Sequence, residues 1–329
     1  MGRTLIAGTG RGLPERVLSN ADLEQMVDTS DSWIVERTGI RERRIIAKGQ
    51  TSSDLAATAG LHACRKAGID PATLDCIIVS TVTPDSPLPA TAVHVQRKLG
   101  AGGCAAFDMA AACAGFIYGL SVGDAFIARG QFKRVLVVGV EVLSPVIDWE
   151  DRNTCVLFGD GAGAAVLVPG GDAAGDRGLW STHLYADGTM ADALGIPAGG
   201  TALPASQETV AQRLHYVKMN GREVFKHAVR NMSRAALTAL EHNGLTITDV
   251  DTVLAHQANM RIVEGVAKQL ALPLDKFFIN LPKYGNTSSA SIPIALDEAL
   301  EAGRVKQGDL LLMTALGAGF SWGSAVVRL

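Results

Sequence analysis

The sequence predicts an α/β protein in which two similar halves form a layered α/β/α/β/α sandwich. Three observations predict it: an internal repeat, near-continuous apolar runs with the length of buried strands, and one long stretch that is apolar almost all round. Strands covered on both faces read as continuous apolar runs rather than as alternating ones. A helix that is apolar all round is buried, which places it between two sheets.

The internal repeat consists of two pairs of segments in the same order. Residues 56–80 and 232–256 each read as an Ala-rich helix, a Gly, a polar turn, an Asp and a β-branched strand. A second pair begins at Gly130 and Gly303, where a helix ends and a basic stretch leads into an apolar strand. Single helix–strand units recur by chance in α/β proteins, but two matched pairs at nearly the same spacing favour duplication.

The predicted elements follow this division, with one half at residues 1–175 and the other at residues 176–329. The strands are expected at the apolar runs Thr4–Ala7, Cys76–Thr81, Ala105–Met109, Val135–Val140, Ala164–Val168, Thr252–Ala255, Leu310–Thr314 and Ser324–Val327. The buried helix is expected at Cys113–Arg129, since this stretch is apolar and ends before Gly130.

The composition excludes several classes of protein. Of the 329 residues, 47% are hydrophobic and 19% charged, which is too apolar and too weakly charged for a disordered chain. A net charge of −3 gives no general basic field for nucleic acid. The longest apolar runs, Met109–Leu120 and Leu310–Phe320, are shorter than the roughly 20 residues of a membrane-spanning helix. The N-terminus lacks the apolar core of a signal peptide, so we expect a cytoplasmic protein.

The cysteines indicate neither a disulfide framework nor a metal site. They are Cys64, Cys76, Cys104, Cys113 and Cys155. The odd number and the absence of a CxxC pair predict reduced thiols. No cluster of His, Cys and carboxylate residues has metal-ligand spacing, so no metal is expected.

Cys113 has the strongest case for chemistry. It follows the strand-like segment Ala105–Met109, and the small residues Ala110–Ala112 and Ala114–Gly115 around it allow a sharp turn and leave space over the sulfur. At the N-terminus of the buried helix, the helix dipole and free N–H groups would stabilise a thiolate or hold an oxyanion. A lone cysteine also fits an inert core thiol.

Three further segments place polar groups at strand ends or turns. His256 ends a repeated strand, and strand ends are where α/β proteins bind ligands. Asn286 follows Gly285, which permits an unusual turn, and precedes a Ser/Thr run that caps the next helix. The Gly-rich turn Leu316–Phe320 could bring a backbone N–H to a substrate oxygen. Taken singly, each also fits a purely structural position.

Two glycine-rich segments are interpreted as turns and not as nucleotide-binding loops. In the segment 8–12, Leu13 stands where a dinucleotide loop has its third Gly, and Pro14 follows without a helix start. The segment 159–164 leads into a strand and not into a helix.

Cys113, His256 and Asn286, in this order and with their surrounding motifs, resemble the β-ketoacyl-acyl-carrier-protein synthase III family. Members of this family are the condensing enzymes that start bacterial type II fatty acid synthesis. The resemblance covers essentially the whole chain, in the segments 20–44, 107–122 (FDMAAACAGFIYGLSV), 158–167 (FGDGAGAAVL), 254–262 (LAHQANMRI), 284–299 (YGNTSSASIPIALDEA) and 319–328. It implies the thiolase fold, a duplicated five-layer sandwich, and a homodimer.

The resemblance implies the catalytic groups. Cys113 would be the acyl-accepting nucleophile, with His256 and Asn286 as partners and the backbone N–H groups of Cys113 and Ala318 as the oxyanion hole. Cys113 would take an acyl group from acyl-CoA, and malonyl on the carrier protein would lose CO₂ and attack the acyl-cysteine. Breaking the C–C bond supplies the electrons, so His256 Nε2–H and the Asn286 amide need only stabilise the enolate oxygen. Coenzyme A enters as a substrate thioester, and no cofactor is implied.

The resemblance also implies residues that bind the two substrates. Trp33 and Arg152 would sandwich the coenzyme A adenine, Arg37 would lie near its phosphates, and Gly221 and Asn259 would line the pantetheine tunnel. The acyl-carrier-protein contacts would be Gln257, Ala258, Asn259, Met260 and Arg261, with Lys226 and Lys268 completing a basic patch. Gln269 stands where relatives can have another Lys, which predicts a weaker patch.

Leu88 lies in the Pro-rich segment TPDSPLPATAV, which predicts a loop. The resemblance places it across the dimer, at the far end of the partner's acyl pocket, where relatives often carry Phe. Because Leu is smaller, we expect acetyl-CoA as the main primer with some use of longer ones.

Two alternative functions stay open from the sequence. Relatives with Cys-His-Asn start secondary-metabolite chains or make 3-hydroxy-3-methylglutaryl-CoA, and a non-catalytic protein could bind acyl-CoA or carrier protein. The intact Cys-His-Asn set speaks against the non-catalytic alternative. A degradative thiolase fits less well, since it uses a second late Cys and none follows Cys155.

Overall fold

The computed structural model describes residues 2–329. The strands are β1 (Thr4–Gly12), β2 (Arg16–Ser19), β3 (Glu42–Ile45), β4 (Cys76–Ser80), β5 (Ala105–Met109), β6 (Val135–Glu141), β7 (Gly161–Pro169), β8 (Gly178–Ala186), β9 (Leu194–Gly195), β10 (Lys218–Met219), β11 (Thr252–Ala255), β12 (Leu310–Gly317) and β13 (Ser321–Arg328). The helices are α1 (Asn20–Glu24), α2 (Asp31–Thr38), α3 (Ser52–Ala67), α4 (Thr91–Leu99), α5 (Gly115–Ala128), α6 (Arg152–Cys155), α7 (Gln207–Ala211), α8 (Gly221–His242), α9 (Met260–Gln269), α10 (Leu281–Tyr284) and α11 (Ser291–Glu301). No helix within this range is both long and apolar enough to cross a membrane.

The two main sheets share one topology. The first has the order β1-β7-β6-β4-β5, and the second has the order β8-β13-β12-β11. In each sheet the first three strands pair antiparallel and the third pairs parallel with the fourth. The first sheet adds β5 in parallel to β4, whereas the second has at that place only a single parallel bridge between Phe277 and Val253. The segment pairs found in the sequence therefore occupy matching positions in the two sheets.

The helices complete five layers. α3 and α4 pack on the outer face of the first sheet, α5 and α11 lie between the sheets, and α8 and α9 cover the outer face of the second. The central layer joins both sheets in one apolar core, in which Phe116, Ile117 and Leu120 of α5 meet Ile292 and Leu296 of α11. This arrangement puts the N-terminal ends of α5 and α11 inside the molecule.

The glycines of β1 serve helix packing. β1 is a continuous strand through Gly12, and β2 follows it rather than a helix. A Cβ added at Gly10 would overlap the Ala59 carbonyl of α3 and lie 2.5 Å from Ala63 N. The absence of side chains at these positions lets α3 lie directly on the strand.

The predicted strands and the central helix are present, with shifted ends. β6, β7, β12 and β13 extend beyond the predicted runs, and α5 begins at Gly115 after a 3-10 turn at Ala112–Ala114. β8 is absent from the predicted strands because it reads GLWSTHLYA, with half-exposed polar residues at the sheet edge. The division of the chain at residue 175 stays a prediction.

Candidate active site

Cys113 lies at a strained turn that only small neighbours permit. The backbone leaves β5, and Ala112 adopts φ = +44° immediately before the cysteine. Left-handed backbone is uncommon for residues other than glycine and marks a position held by its surroundings. At Gly115, an added Cβ would overlap Ser80 Oγ of the neighbouring strand. The Ala-Gly-rich surroundings therefore set the position of the sulfur at the start of α5.

His256 follows β11, and its backbone N–H donates to Thr314 O at 2.8 Å. Its ring is buried, and Nδ1 lies 2.7 Å from the hydroxyl oxygen of Ser291. Within residues 2–329, that hydroxyl makes no second hydrogen bond, so its proton is free to be donated to Nδ1. Burial lowers the pKa of His256 to about 3, so the ring is neutral at physiological pH. A neutral ring that accepts at Nδ1 carries its proton on Nε2.

Asn286 is held by its backbone and by one end of its amide. Its N–H donates to Leu157 O at 2.8 Å, and its own carbonyl accepts the Gly159 N–H at 3.0 Å. Its side-chain Oδ1 accepts the Ser288 N–H at 2.8 Å. Because Oδ1 is engaged in this way, the Nδ2 amine is the end left to donate to a ligand. Gly285 has φ = +64°, as the sequence predicts for an unusual turn.

The three side chains line one cavity, which the sequence alone could not show. The cavity of about 90 Å³ is lined by Cys113, His256 and Asn286, and by Gly221 and Asn259 among other residues. A second cavity, of about 280 Å³, also reaches Cys113 and is mainly apolar, lined by Val82, Ala112, Leu143, Phe158, Leu194, Gly195, Ile196, Val217, Ser288 and Ala318. Cys113 therefore lies where the two cavities meet, and His256, Asn259 and Asn286 supply the polar side chains of the smaller one.

The turn after β12 packs against the cysteine backbone. A Cβ added at Gly317 would overlap Cys113 N and would lie 2.8 Å from the Ala112 Cβ. Ala318 follows directly and lines the apolar cavity beside Cys113. Within residues 2–329, the positive-φ residues other than Gly are Ala112, Arg213, Ala271 and Ser288, so Ala318 carries no such strain. The turn after β12 and the turn before α5 therefore meet at the backbone of Cys113.

The electrostatics differ from the expectation of a resting thiolate. Burial raises the pKa of the Cys113 thiol to about 12, and the nearby Glu141 carboxylate adds to the rise, while the Ser288 hydroxyl opposes it. Burial outweighs the favourable end of the α5 dipole because, within residues 2–329, no cation beside the sulfur offsets its desolvation. Burial also raises the pKa of Cys76 to about 12, so the placement of Cys113, and not its acidity, distinguishes it.

The residues expected to bind coenzyme A lie together at the surface. The guanidinium of Arg37 lies 4.7 Å from the Trp33 ring centroid, and that of Arg152 lies 5.1 Å from it. Arg152 also donates to the Asp28 carbonyl at 3.0 Å. A ring inserted between Trp33 and Arg152 needs more space than this, so the arginine has to swing outward to admit an adenine.

Gln257 is not a surface residue, which corrects its assignment as a carrier-protein contact. Its side chain is 2% exposed. Its Oε1 accepts the N–H groups of Asn280 and Leu281 at 2.9 and 2.7 Å, and its Nε2 donates to the Phe278 carbonyl at 3.0 Å. Both ends of the amide therefore hold the backbone around the start of α10.

The other residues of the expected carrier-protein surface are accessible. Arg261, Lys226 and Lys268 are exposed, whereas Ala258, Asn259 and Met260 are half-buried. Asn259 caps α9 by accepting the Ile262 N–H at 2.9 Å. Leu88 is 85% exposed in an irregular segment between β4 and α4, and among the described residues it lines neither cavity.

Sequence reasoning missed three polar residues next to the cysteine and the histidine. Ser291 contacts His256, Ser288 contacts Asn286, and Glu141 is a fully buried carboxylate at the end of β6. The sequence pattern assigns the serines only to helix capping. Nothing in the sequence distinguishes Glu141 from any other polar residue at the end of an apolar strand.

Comparisons with known proteins agree with these observations. A family profile described as 3-oxoacyl-[acyl-carrier-protein] synthase III matches residues 107–188, and one described as its C-terminal part matches residues 240–329. A Roseiflexus castenholzii protein, described as beta-ketoacyl-[acyl-carrier-protein] synthase III, is 53% identical over 98% of this chain and 97% of its own length. The chain belongs to the 3-oxoacyl-[acyl-carrier-protein] synthase III family.

Solved synthase III structures have the same fold. The enzyme from Aquifex aeolicus superimposes with a TM-score of 0.91 at 48% identity, covering 99% of this chain and all of the other. The priming β-ketosynthase of the R1128 polyketide pathway has a TM-score of 0.90 at 35% identity, covering 99% and 97%. These neighbours confirm the predicted thiolase fold and the family resemblance.

A bulkier residue at Gly317 should disturb the synthase III site without touching its side chains. In Gly317→Ala, the new methyl group overlaps Cys113 N and displaces that N–H. Loss of one well-placed oxyanion donor typically lowers a rate about 100-fold to 1,000-fold. We expect acylation of Cys113 by radiolabelled acetyl-CoA to fall by about 100-fold. Gly102→Ala, where the added Cβ meets no atom within 4 Å, should acylate normally; equal rates in both variants would contradict the packing argument.

Proposed function

We propose that this chain condenses a short acyl-CoA, with acetyl-CoA favoured, with malonyl-acyl-carrier protein to give a 3-oxoacyl-acyl-carrier protein, the first step of type II fatty acid synthesis. Membership of the synthase III family makes it a condensing acyltransferase that works through an acyl-cysteine. The observation that supports the residue assignment best is the single cavity lined by Cys113, His256 and Asn286. The proposed location is the cytoplasm.

In the first half-reaction, Cys113 attacks the thioester carbonyl of acyl-CoA. The developing oxyanion is held by the backbone N–H groups of Cys113 and Ala318; the close packing of Gly317, the neighbour of Ala318, on Cys113 N supports this assignment. The acyl chain then lies in the apolar cavity of about 280 Å³. Trp33, Arg37 and Arg152 bind the nucleotide end of coenzyme A, and Gly221 and Asn259 border its pantetheine arm.

In the second half-reaction, the malonyl thioester loses CO₂ and leaves an enolate. His256 presents Nε2–H because its Nδ1 accepts from Ser291, and Asn286 presents Nδ2 because its Oδ1 is engaged by Ser288. Both groups are neutral donors. They can stabilise the negative charge on the enolate oxygen by hydrogen bonds without transferring a proton to it, as a more acidic charged donor would. The enolate carbon attacks the acyl-Cys113 thioester and releases the thiol.

The carrier protein docks on the patch formed by Arg261, Lys226 and Lys268. Their exposure supports this assignment, since an acidic partner would be attracted to exposed cations in the N-terminal part of α8 and along α9. Arg261 and Lys268 are seven residues apart on α9 and share one face of that helix.

The active form is a homodimer in which Leu88 contacts the partner subunit. Two features support it: Leu88 is a large apolar side chain that is 85% exposed, and β5 is an edge strand with one unpaired side. Exposed edges and apolar side chains are commonly covered by association. In the dimer, Leu88 would close the far end of the partner's acyl cavity.

Replacing the three site residues should separate the half-reactions. Cys113→Ala should abolish labelling of the protein by radioactive acetyl-CoA, because no other thiol lines the cavity described. His256→Ala and Asn286→Ala should keep most of this labelling but release CO₂ from labelled malonyl-carrier protein about 100-fold more slowly, as expected for one lost donor.

Cys104→Ala is the matched control, since it removes a half-buried thiol outside the cavity. It should behave as the wild type in both assays. Wild-type CO₂ release by either the His256 or the Asn286 variant would refute the role given to that residue.

Reversing the charge at Arg261 should weaken carrier-protein binding alone. We expect Arg261→Glu to raise KM for malonyl-carrier protein about tenfold, which is about 1.4 kcal/mol, with little change in acylation by acetyl-CoA. The difference should shrink in high salt because exposed charges are screened. Arg129→Glu, an exposed cation at the far end of α5, serves as the control. A loss shared equally by both substrates would indicate that Arg261 supports the fold.

Primer choice should respond to the size of residue 88. We expect acetyl-CoA as the main primer, with measurable use of propionyl-CoA and butyryl-CoA. Leu88→Phe should reduce the longer primers more than acetyl-CoA, and Leu88→Ala should extend the range. One buried methylene contributes only about 0.8 kcal/mol, so the changes should be modest. Leu237→Ala, which changes an exposed leucine on α8, is the control. Identical primer profiles for the wild type, Leu88→Phe and Leu88→Ala would show that Leu88 does not line the acyl pocket.

A further inference from the structure

Glu141 is a buried carboxylate that the proposed reaction does not use. It is the last residue of β6 and has no exposed surface. Its carboxylate accepts the Thr83 hydroxyl at 2.7 Å, the Val82 N–H at 3.2 Å and the Ser288 hydroxyl at 3.2 Å. A buried carboxylate is costly, and this one hydrogen-bonds Ser288, which lines a cavity with the nucleophile.

Ser288 connects this carboxylate to the cysteine. Its hydroxyl donates to Glu141 Oε1 at 3.2 Å, and its closeness to the Cys113 sulfur opposes the rise in the pKa of the thiol. Ser288 and Cys113 line the same apolar cavity. The serine is fixed in place, since its backbone has φ = +49° and its N–H is bound by Asn286. The order of groups is therefore thiol, hydroxyl, carboxylate.

The first half-reaction needs an acceptor for the thiol proton. Cys113 is a neutral thiol at rest, and a neutral thiol is a weak nucleophile. His256 is a poor acceptor because burial holds its pKa near 3. Burial raises the pKa of Glu141 to about 7, although its hydrogen bonds oppose the rise, so this group can bind and release a proton near neutral pH.

The groups that face Glu141 come from three elements. From the start of α5 it faces the Cys113 thiol, which is titratable. The segment after β4 contributes the hydroxyls of Thr81 and Thr83 and the Val82 N–H, and the turn before α11 contributes the Ser288 hydroxyl.

We infer that the Ser288 hydroxyl relays the Cys113 proton to the Glu141 carboxylate during acylation, and returns it when condensation releases the thiol. This rests on the proposed function. As Sγ bonds to the acyl carbon, the thiol proton passes to Ser288 Oγ and the Ser288 proton passes to Glu141, while coenzyme A leaves as a thiolate that takes a proton from solvent. In the condensation, the C–S bond breaks and the Cys113 sulfur regains its proton from Glu141 through Ser288.

The relay predicts how thiol reactivity depends on pH. We would measure alkylation of Cys113 by iodoacetamide from pH 5 to pH 10, together with single-turnover acylation by acetyl-CoA. In the wild type, the rate should rise through about pH 7, as Glu141 loses its proton and becomes able to accept one. In Glu141→Gln the inflection should disappear, and the rate at pH 8 should fall about 100-fold, the usual contribution of a general base.

Ser288→Gly tests separately whether the Ser288 hydroxyl relays the proton. Glycine suits the positive φ and keeps the N–H that binds Asn286, so only the hydroxyl is lost. This variant should lose the same inflection while Glu141 stays in place, which keeps the test valid if Glu141→Gln fails to fold. The double variant should be no slower than either single variant, because both remove one relay.

Asp160→Asn is the matched control. Asp160 is also a buried carboxylate with a serine partner, Ser144, and burial raises its pKa too. It should keep the wild-type pH profile. An unchanged inflection in Glu141→Gln, with only a uniform loss of rate, would overturn the relay, as would multiplicative losses in the double variant.

The two proposals fail separately. Alkylation requires neither acyl-CoA nor carrier protein, so it reports on the relay alone. A wild-type protein that shows the inflection but does not condense acetyl-CoA with malonyl-carrier protein would overturn the proposed function and leave the proton path intact.

Discussion

The meeting of two helix N-termini at the centre of the molecule determines the rest of the site. The 3-10 turn Ala112–Ala114 before α5 contacts the turn Ser288–Ala290 before α11, and both turns contain a residue in the left-handed region. Each helix comes from the corresponding place in one of the two matching sheets. The duplicated fold therefore brings the nucleophile from one repeat to the polar turn of the other, and the strain at Ala112 and Ser288 is sustained by the apolar core around α5 and α11.

Burial sets the protonation state of every ionisable group in this centre. It raises the pKa of Cys113 and Glu141 and lowers that of His256, so that the resting site holds a thiol and a neutral imidazole. Hydrogen-bond partners then decide which atom of each group faces the ligand. Ser291 orients the imidazole and Ser288 orients the Asn286 amide, and both serines belong to one short stretch at the start of α11. A fixed array of neutral donors is suited to stabilising an enolate in a dry cavity.

The sequence was sufficient for the architecture and for the cavity's three principal residues. Its repeat and its continuous apolar runs predicted the layers, because strands covered on both faces leave little freedom in composition. It could not predict β8, an edge strand with polar residues, or the burial of Gln257, whose amide holds backbone far along the chain. It also suggested a thiolate from helix position, whereas tertiary burial dominates the acidity of Cys113. Contacts such as Ser291 with His256 join residues 35 apart in sequence and leave no local signal.

The order of the two repeats has a consequence for synthesis on the ribosome. All five strands of the first sheet lie within residues 4–169, so this sheet can form before the second repeat is made. Of the residues that line the cavities at Cys113, those from Asn286 to Ala318 emerge more than 170 residues after it. During that interval α5 is covered by the first sheet, whereas the face of α5 that meets α11 and the second sheet stays open. The nascent protein thus carries an open apolar face beside Cys113 until the second repeat is made, and the docking of α11 and the second sheet removes that exposed surface.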